Sequence, residues 1–418
     1  MKSVVCFMRL EPAPHQRRVV VTAMGVISPL GHGTKQTLAA LQSGTDGVSP
    51  VTSFDVSRTR SKTAGQIPPH WFPAAASARS ARQRERLHPA SLMMLAAVGE
   101  LTESDPDFHP QCAVIGTTSG GMSFGERYYG AQAATPRRRE RAGWLANYMP
   151  QKPVLDTLAA CGWPAPSEII ANACASGTNA IGHAFRLIRG GRQERVLCGG
   201  YDALSQLVFV GFDSLQASTP EKIRPFDKHR SGLVLGEGAA LLALEERESA
   251  MRRGARILAE ITGYGCSTDN HHLTQPHPSG IGPRHAMERA LADARLRREE
   301  VAYVNAHGTA TTFNDATEGA AIAQLFGGRV PVSSTKSMMG HALGAAGAIE
   351  AVFSILALQH QFLPPNINSV EVDSAWPLNL VRNEARQARV SCVVSNSFGF
   401  GGTNASIVLQ RADQAAAV

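Results

Sequence analysis

Short apolar, β-branched runs recur along the chain at 19–22, 112–117, 168–172, 195–198, 241–245, 257–262, 301–305, 330–334, 390–395 and 406–409, and Gly/Ala-rich stretches of helical character separate them. Strands that alternate with helices predict a layered α/β fold. Residues 1–18 contain proline, carry no period and precede the first apolar run. They read as a loose extension, with folding starting at Val19.

Two segments repeat one design. After the run at 168–172 comes a small-residue helix over 174–188, and after the run at 330–334 comes HALGAAGAIEAVFSIL, beginning at His341. Each half also closes with a Gly-rich turn feeding an apolar strand: Gly236-Glu237-Gly238 in the first, 399–402 in the second. The pattern predicts an internal duplication, with one half over 19–258 and the other over 259–418. Helices this rich in Gly and Ala have poor intrinsic stability in water, but their slim faces let other backbones approach closely. Their expected place is the centre of the fold.

With 43% hydrophobic and 18% charged residues and 39 glycines, the composition is that of a folded globular chain and excludes disorder or collagen. The apolar stretches around 239–244 and 342–348 are much shorter than the roughly 18 residues of a membrane span. Arg9 interrupts the apolar start too early for a signal-peptide core. A cytoplasmic location is the expectation. Seven cysteines, several within apolar runs (Cys112, Cys198, Cys392), read as small buried hydrophobes rather than a disulfide framework. The net charge of +7 gathers in Arg79, Arg82, Arg84 and Arg86 and again in Arg137, Arg138, Arg139 and Arg141, a docking surface for an acidic partner. No aromatic residues interleave with these clusters as nucleic-acid recognition would require.

Reactive residues fall at the carboxyl ends of expected strands, where α/β sheets bind ligands. Cys174 follows the run at 168–172 and opens a helix, whose free N–H groups favour a thiolate. His307 stands in the polar loop Asn305-Ala306-His307-Gly308-Thr309, and His341 opens the second slim helix. Lys336, between small hydroxyl residues and Met338-Met339, calls for a carboxylate partner, with Asp315 and Glu318 as candidates. The group Asp269, His271, His272 and His277 lies in an irregular loop broken by Pro276 and Pro278, and a metal reading is rejected there. Walker and strand-linked G-x-G-x-x-G motifs are absent, so no nucleotide cofactor is indicated.

Four motifs in order, Asn172-Ala173-Cys174-Ala175-Ser176-Gly177, Asn305-Ala306-His307-Gly308-Thr309, the run from Ser334 through Lys336 to His341, and Asn396-Ser397-Phe398-Gly399-Phe400-Gly401-Gly402-Thr403-Asn404, resemble the β-ketoacyl-acyl-carrier-protein synthases, specifically the elongating type II condensing enzymes. The likeness runs from Val19 to Gln410. It implies the thiolase fold, two duplicated halves in a five-layered α/β/α/β/α arrangement. Cys174 would then carry an acyl chain as a thioester. His307 and His341 would bind the malonyl thioester carbonyl and promote loss of carbon dioxide, leaving an enolate that attacks the acyl group. Backbone N–H groups of Cys174 and Phe400 would form the oxyanion hole, and Lys336, paired with Glu318, would hold the histidine array.

The same likeness places Thr309 and Thr311 in the pantetheine tunnel. Phe400, with Phe398 beside it and the 269–276 loop that carries Asp269 and His272, forms the gate of the acyl pocket. No resident cofactor or metal is implied, since phosphopantetheine arrives on the acyl carrier protein, and the chain is expected to pair with a second copy or with a chain-length partner. Two departures bear on substrate. Ser119 replaces the bulky apolar residue that fatty-acid enzymes place at the pocket floor, and Thr312-Phe313-Asn314-Asp315 is closer to polyketide and polyene enzymes. One alternative is a non-catalytic chain-length partner, against which the retained Cys174, His307, His341 and Lys336 argue. A papain-like hydrolase has a similar Cys-to-His spacing, but its local cysteine signature is missing.

Overall fold

A computed structural model describes residues 17–71, 87–134 and 143–412. Most of the N-terminal extension and both arginine clusters, Arg79 to Arg86 and Arg137 to Arg141, lie outside the described residues.

Each of the ten apolar runs is a strand. The first five are β1 (Val19–Ser28), β2 (Cys112–Gly116), β3 (Ser167–Ile170), β4 (Arg195–Asp202) and β5 (Gly238–Glu246). The second five are β6 (Ala259–Thr268), β7 (Tyr303–Asn305), β8 (Pro331–Ser333), β9 (Cys392–Gly399) and β10 (Thr403–Gln410). In space the first set runs β3-β2-β4-β5-β1 and the second runs β8-β7-β9-β10-β6, the same path twice. Pairing repeats as well: β2 lies parallel to β3 and β4, with β4–β5 and β5–β1 antiparallel. Correspondingly β7 lies parallel to β8 and β9, with β9–β10 and β10–β6 antiparallel. The two sets meet where β1 pairs antiparallel with β6, from Val19 opposite Ile261 to Val21 opposite Ala259.

Helices fill the layers. Between the two sets lie α3 (Ser176–Arg189) and α6 (Ala346–His360), while α1 (Pro89–Ser104) and α2 (Lys152–Cys161) cover the outer face of the first set. The outer face of the second set is covered by α4 (Ile281–Ala294) and α5 (Thr312–Phe326). The result is the five-layered thiolase arrangement. Strand β5 shows how sequence writes it: Ala239, Leu241 and Ala243 face the outer core, and Ala240, Leu242 and Leu244 face the central one. A strand buried on both faces needs a continuous apolar run rather than alternation.

The slim central helices are slim for a steric reason. A Cβ on Gly177 would sit 2.7 Å from the Gly344 carbonyl oxygen, so any larger residue would push the two halves apart. The segment Leu343–His360 is long and apolar enough to cross a membrane, with mean hydropathy 1.4, but it is the central helix of the fold and 89% buried. Its apolarity is core packing.

Candidate active site

Cys174 sits in the turn between β3 and α3. Ala173, just before it, is held at φ 58°, a left-handed conformation that costs a non-glycine residue energy and marks sites where geometry is imposed by function. Ser176 fastens the turn, accepting the Asn172 N–H at 2.9 Å and donating to the Ala173 carbonyl at 2.6 Å. His307 leaves the end of β7, and His341 comes from the turn before α6, after the short helix Lys336–Met339. All three side chains are buried, and Cys174 Sγ and one ring nitrogen from each histidine lie within 4.8 Å of one another. The two rings stand nearly perpendicular, 86° apart, with centroids at 5.2 Å.

The electrostatics settle protonation. Burial, followed by the Lys336 charge, holds both imidazoles well below their usual range, and for His307 the neighbouring His341 adds to this. Both are neutral, so each offers one N–H and one lone pair. Burial pushes the Cys174 thiol up to about 11, against Lys336 and the N–H groups of Phe400 and of Cys174 itself, which face the sulfur and lower its value. This corrects the expectation of a helix-terminal thiolate. Helix α3 begins only at Ser176, and desolvation outweighs every group that favours the anion.

Lys336 is also placed differently from expectation. Its ammonium donates to Glu350 Oε1 at 2.5 Å, and both side chains are fully buried. Glu318 instead accepts the N–H groups of His307 and Gly308, each at 2.8 Å, and the Asn396 amide at 3.2 Å. It holds the histidine loop directly, at the cost of burial that pushes its carboxyl up to about 7. Asp315 likewise serves backbone, accepting from Phe226 and Ala310. The reason is geometric: both acids lie on α5, under the 307–310 loop, whereas Glu350 projects from α6 toward the Lys336 turn.

A cleft reaches the trio from the surface, lined by Thr309, Thr311, Phe398, Phe400, Asp269 and Asn404 among others. Thr309 and Thr311 hydroxyls hydrogen-bond each other at 2.9 Å. Phe400 stacks on Phe212, with centroids 5.5 Å apart, and Phe398 lies 5.9 Å from the His307 ring. Asp269 accepts the Asn404 amide at 2.8 Å and the His277 N–H at 3.2 Å. Two expected residues lie off this cleft. His272 is exposed and does not line the cleft; its Nδ1 accepts the N–H groups of Thr274 and Gln275, and Thr274, Gln275 and Pro276 take the cleft side of that loop. Ser119 does not line the cleft either: its hydroxyl and N–H both donate to Asp202, at 2.7 and 2.8 Å.

Glu350, Asp202 and Phe212 were missed by sequence reasoning. Glu350 did leave a signal, because a lone acid in the most apolar helix among the described residues calls for a buried cation.

A duplicated five-layered fold that brings a cysteine and two neutral histidines together at strand ends is the framework of a thioester-condensing enzyme. Residues 16–250 match the family described as "Beta-ketoacyl synthase, N-terminal domain" and residues 258–370 match "Beta-ketoacyl synthase, C-terminal domain". The chain is 38% identical to "3-oxoacyl-[acyl-carrier-protein] synthase 2" of Coxiella burnetii, over 95% of this chain and 99% of that one. Among solved structures, "The ishigamide ketosynthase/chain length factor" superposes with a TM-score of 0.89 at 35% identity, covering 95% of this chain and 100% of that chain. "AntDE:AntF (apo): type II PKS acyl-carrier protein in complex with its ketosynthase bound to the hexaketide" superposes at 0.85 with 27% identity, over 95% and 100%. The chain belongs to the β-ketoacyl synthase family.

Proposed function

We propose that the protein elongates acyl chains by decarboxylative Claisen condensation, with Cys174 as the nucleophile and malonyl-acyl-carrier protein as the extender. In the first half-reaction the Cys174 thiol attacks the acyl thioester delivered on phosphopantetheine. Its proton passes by way of a neutral imidazole to the departing pantetheine sulfur, and the N–H groups of Cys174 and Phe400 stabilise the tetrahedral oxyanion. In the second, the malonyl thioester carbonyl accepts the N–H of each imidazole. The bond to the carboxylate breaks, carbon dioxide leaves, and the electron pair forms an enolate that attacks the acyl carbonyl and expels the Cys174 sulfur. Neutral imidazoles suit this step, because they donate hydrogen bonds to the enolate oxygen while Lys336 supplies the positive field.

The observation that carries this reading is the meeting of Cys174, His307 and His341 within 4.8 Å, with two N–H groups on the sulfur. Mass spectrometry of the protein after incubation with acyl-acyl-carrier protein tests it. An acyl adduct on Cys174 is the expected product, and a protein that stays unmodified while binding the carrier would contradict the reading. The substrates are expected among both fatty-acid and polyketide or polyene chains, in the cytosol. The second subunit is an identical chain or a chain-length partner of the kind named in the ishigamide structure.

A further inference from the structure

Asp202 ends β4 with its carboxylate fully buried and accepts five hydrogen bonds. Oδ1 takes the Thr117 hydroxyl at 2.9 Å and both donors of Ser119, while Oδ2 takes the Thr118 N–H at 2.8 Å and the Gly344 N–H at 2.6 Å. Its partners come from both halves of the fold: residues 117–119 follow β2, and Gly344 lies three residues after His341. The approach there is so close that a Cβ on Gly344 would sit 2.6 Å from Thr118 N.

The turn from His341 to Gly344 needs such an anchor. Leu343 is held at φ 51°, a conformation unfavourable for a non-glycine residue. Neither ring nitrogen of His341 has a partner among the described residues, so no side-chain hydrogen bond orients that imidazole. Its direction is set by packing, including the edge-to-face contact with His307, and by the backbone that carries it. On the entering side the His341 N–H donates to the Val234 carbonyl at 2.7 Å and its own carbonyl accepts the Gly236 N–H at 2.9 Å. On the leaving side the anchor is Asp202.

We propose that Asp202 is a positioning residue for the malonyl half-reaction: by tying the strained 341–344 turn to residues 117–119 across the junction of the two halves, it aims the His341 ring at the reacting thioester. This rests on the role given to His341 above. The carboxylate has a second consequence at the nucleophile, since its charge raises the Cys174 thiol, opposing Lys336, while the two neutral imidazoles complete the set of titratable groups around the sulfur.

The test is Asp202→Asn, which keeps the shape but turns a donor toward one of the N–H groups the carboxylate had accepted. Acylation of Cys174 by acyl-acyl-carrier protein is expected within a few-fold of wild type. Release of labelled carbon dioxide from malonyl-acyl-carrier protein by the acylated enzyme is expected to fall about 100-fold, the size of loss that misplacing a reacting group by about 1 Å brings. The pH profile of Cys174 alkylation by iodoacetamide should also move to lower pH, and because hydration of the thiol in a loosened fold would do the same, the split between the half-reactions is the readout that a merely structural role would not produce. Should Asp202→Asn fail to fold cooperatively, Thr117→Val, which removes one donor and leaves the carboxylate, is expected to show the same split at about tenfold. Equal losses in both half-reactions, or an unchanged decarboxylation rate, overturn the proposal. A wild-type protein that never forms acyl-Cys174 overturns the underlying functional reading instead, so the two failures are distinct.

Discussion

Lys336 and Glu350 form an ion pair at 2.5 Å with neither side chain exposed, behind the two histidines of the site. Such a pair gains little net stability over an apolar packing, but removal of one partner leaves an uncompensated buried charge. Its contribution here is electrostatic, since the Lys336 charge is what helps keep both imidazoles neutral and draws the thiol down against desolvation.

The acidic partner sets how the pair responds to pH. Glu350→Leu strands the ammonium and is expected to cost about 3–5 kcal/mol near neutrality. Lys336→Met leaves a carboxyl that burial already pushes up to about 7. The variant raises that value further, so it retains a proton where wild type ionises, and its penalty grows as pH rises above 7 at about 1.36 kcal/mol per unit. Urea unfolding of both variants near neutrality, and of Lys336→Met at pH 7 and pH 9, measures this; a Lys336→Met penalty that does not grow with pH would contradict it.

Ser119→Ile is expected to destabilise the protein rather than shorten the acyl group it accepts. The substitution removes the hydroxyl donor to Asp202 and forces a larger side chain into a buried turn, at about 1–3 kcal/mol for overpacking alone. Thermal unfolding together with a series of acyl-carrier substrates of increasing length separates the outcomes. A selective loss of long substrates with unchanged stability would restore Ser119 to the pocket.

Much of this architecture was legible in the chain because both sets of strands are buried on two faces, so each strand appears as a continuous apolar run and each central helix as a Gly/Ala stretch. Cys174 and His307 were legible because each follows a strand end, and His341 because it opens a slim helical stretch. Pairing between side chains was not. Sequence distance did not decide among Asp315, Glu318 and Glu350, which all lie within about two dozen residues of Lys336; the fold turns the two acids of α5 to the 307–310 loop and brings Glu350 of α6 to the ammonium. The role of Ser119 was hidden for the same reason, because its partner Asp202 comes from a different strand. His272 was misplaced because its loop turns Thr274, Gln275 and Pro276 toward the cleft.

The thiol itself offers a direct probe. With Cys174 pushed up to about 11, the thiolate fraction is small at neutrality and rises about tenfold per pH unit below that value. Alkylation of Cys174 by iodoacetamide should therefore climb steadily from pH 7 to pH 10. A rate that levels off near pH 8 would mean that the helix terminus and Lys336 outweigh desolvation after all.

The central claim is a division of labour, with Cys174, the backbone N–H groups and either imidazole as proton relay serving acyl transfer, and both imidazoles together required for the malonyl step. Separate measurement of the half-reactions in His307→Ala and His341→Ala tests it most directly: acyl-Cys174 formation by mass, and carbon dioxide release from labelled malonyl-acyl-carrier protein by the acylated enzyme. The account predicts that acyl-Cys174 still forms while decarboxylation falls about 10²–10³-fold in each variant, the loss expected for one preorganised donor to a developing oxyanion. Decarboxylation at the wild-type rate in both variants, or loss of acylation and decarboxylation to the same extent, would contradict it.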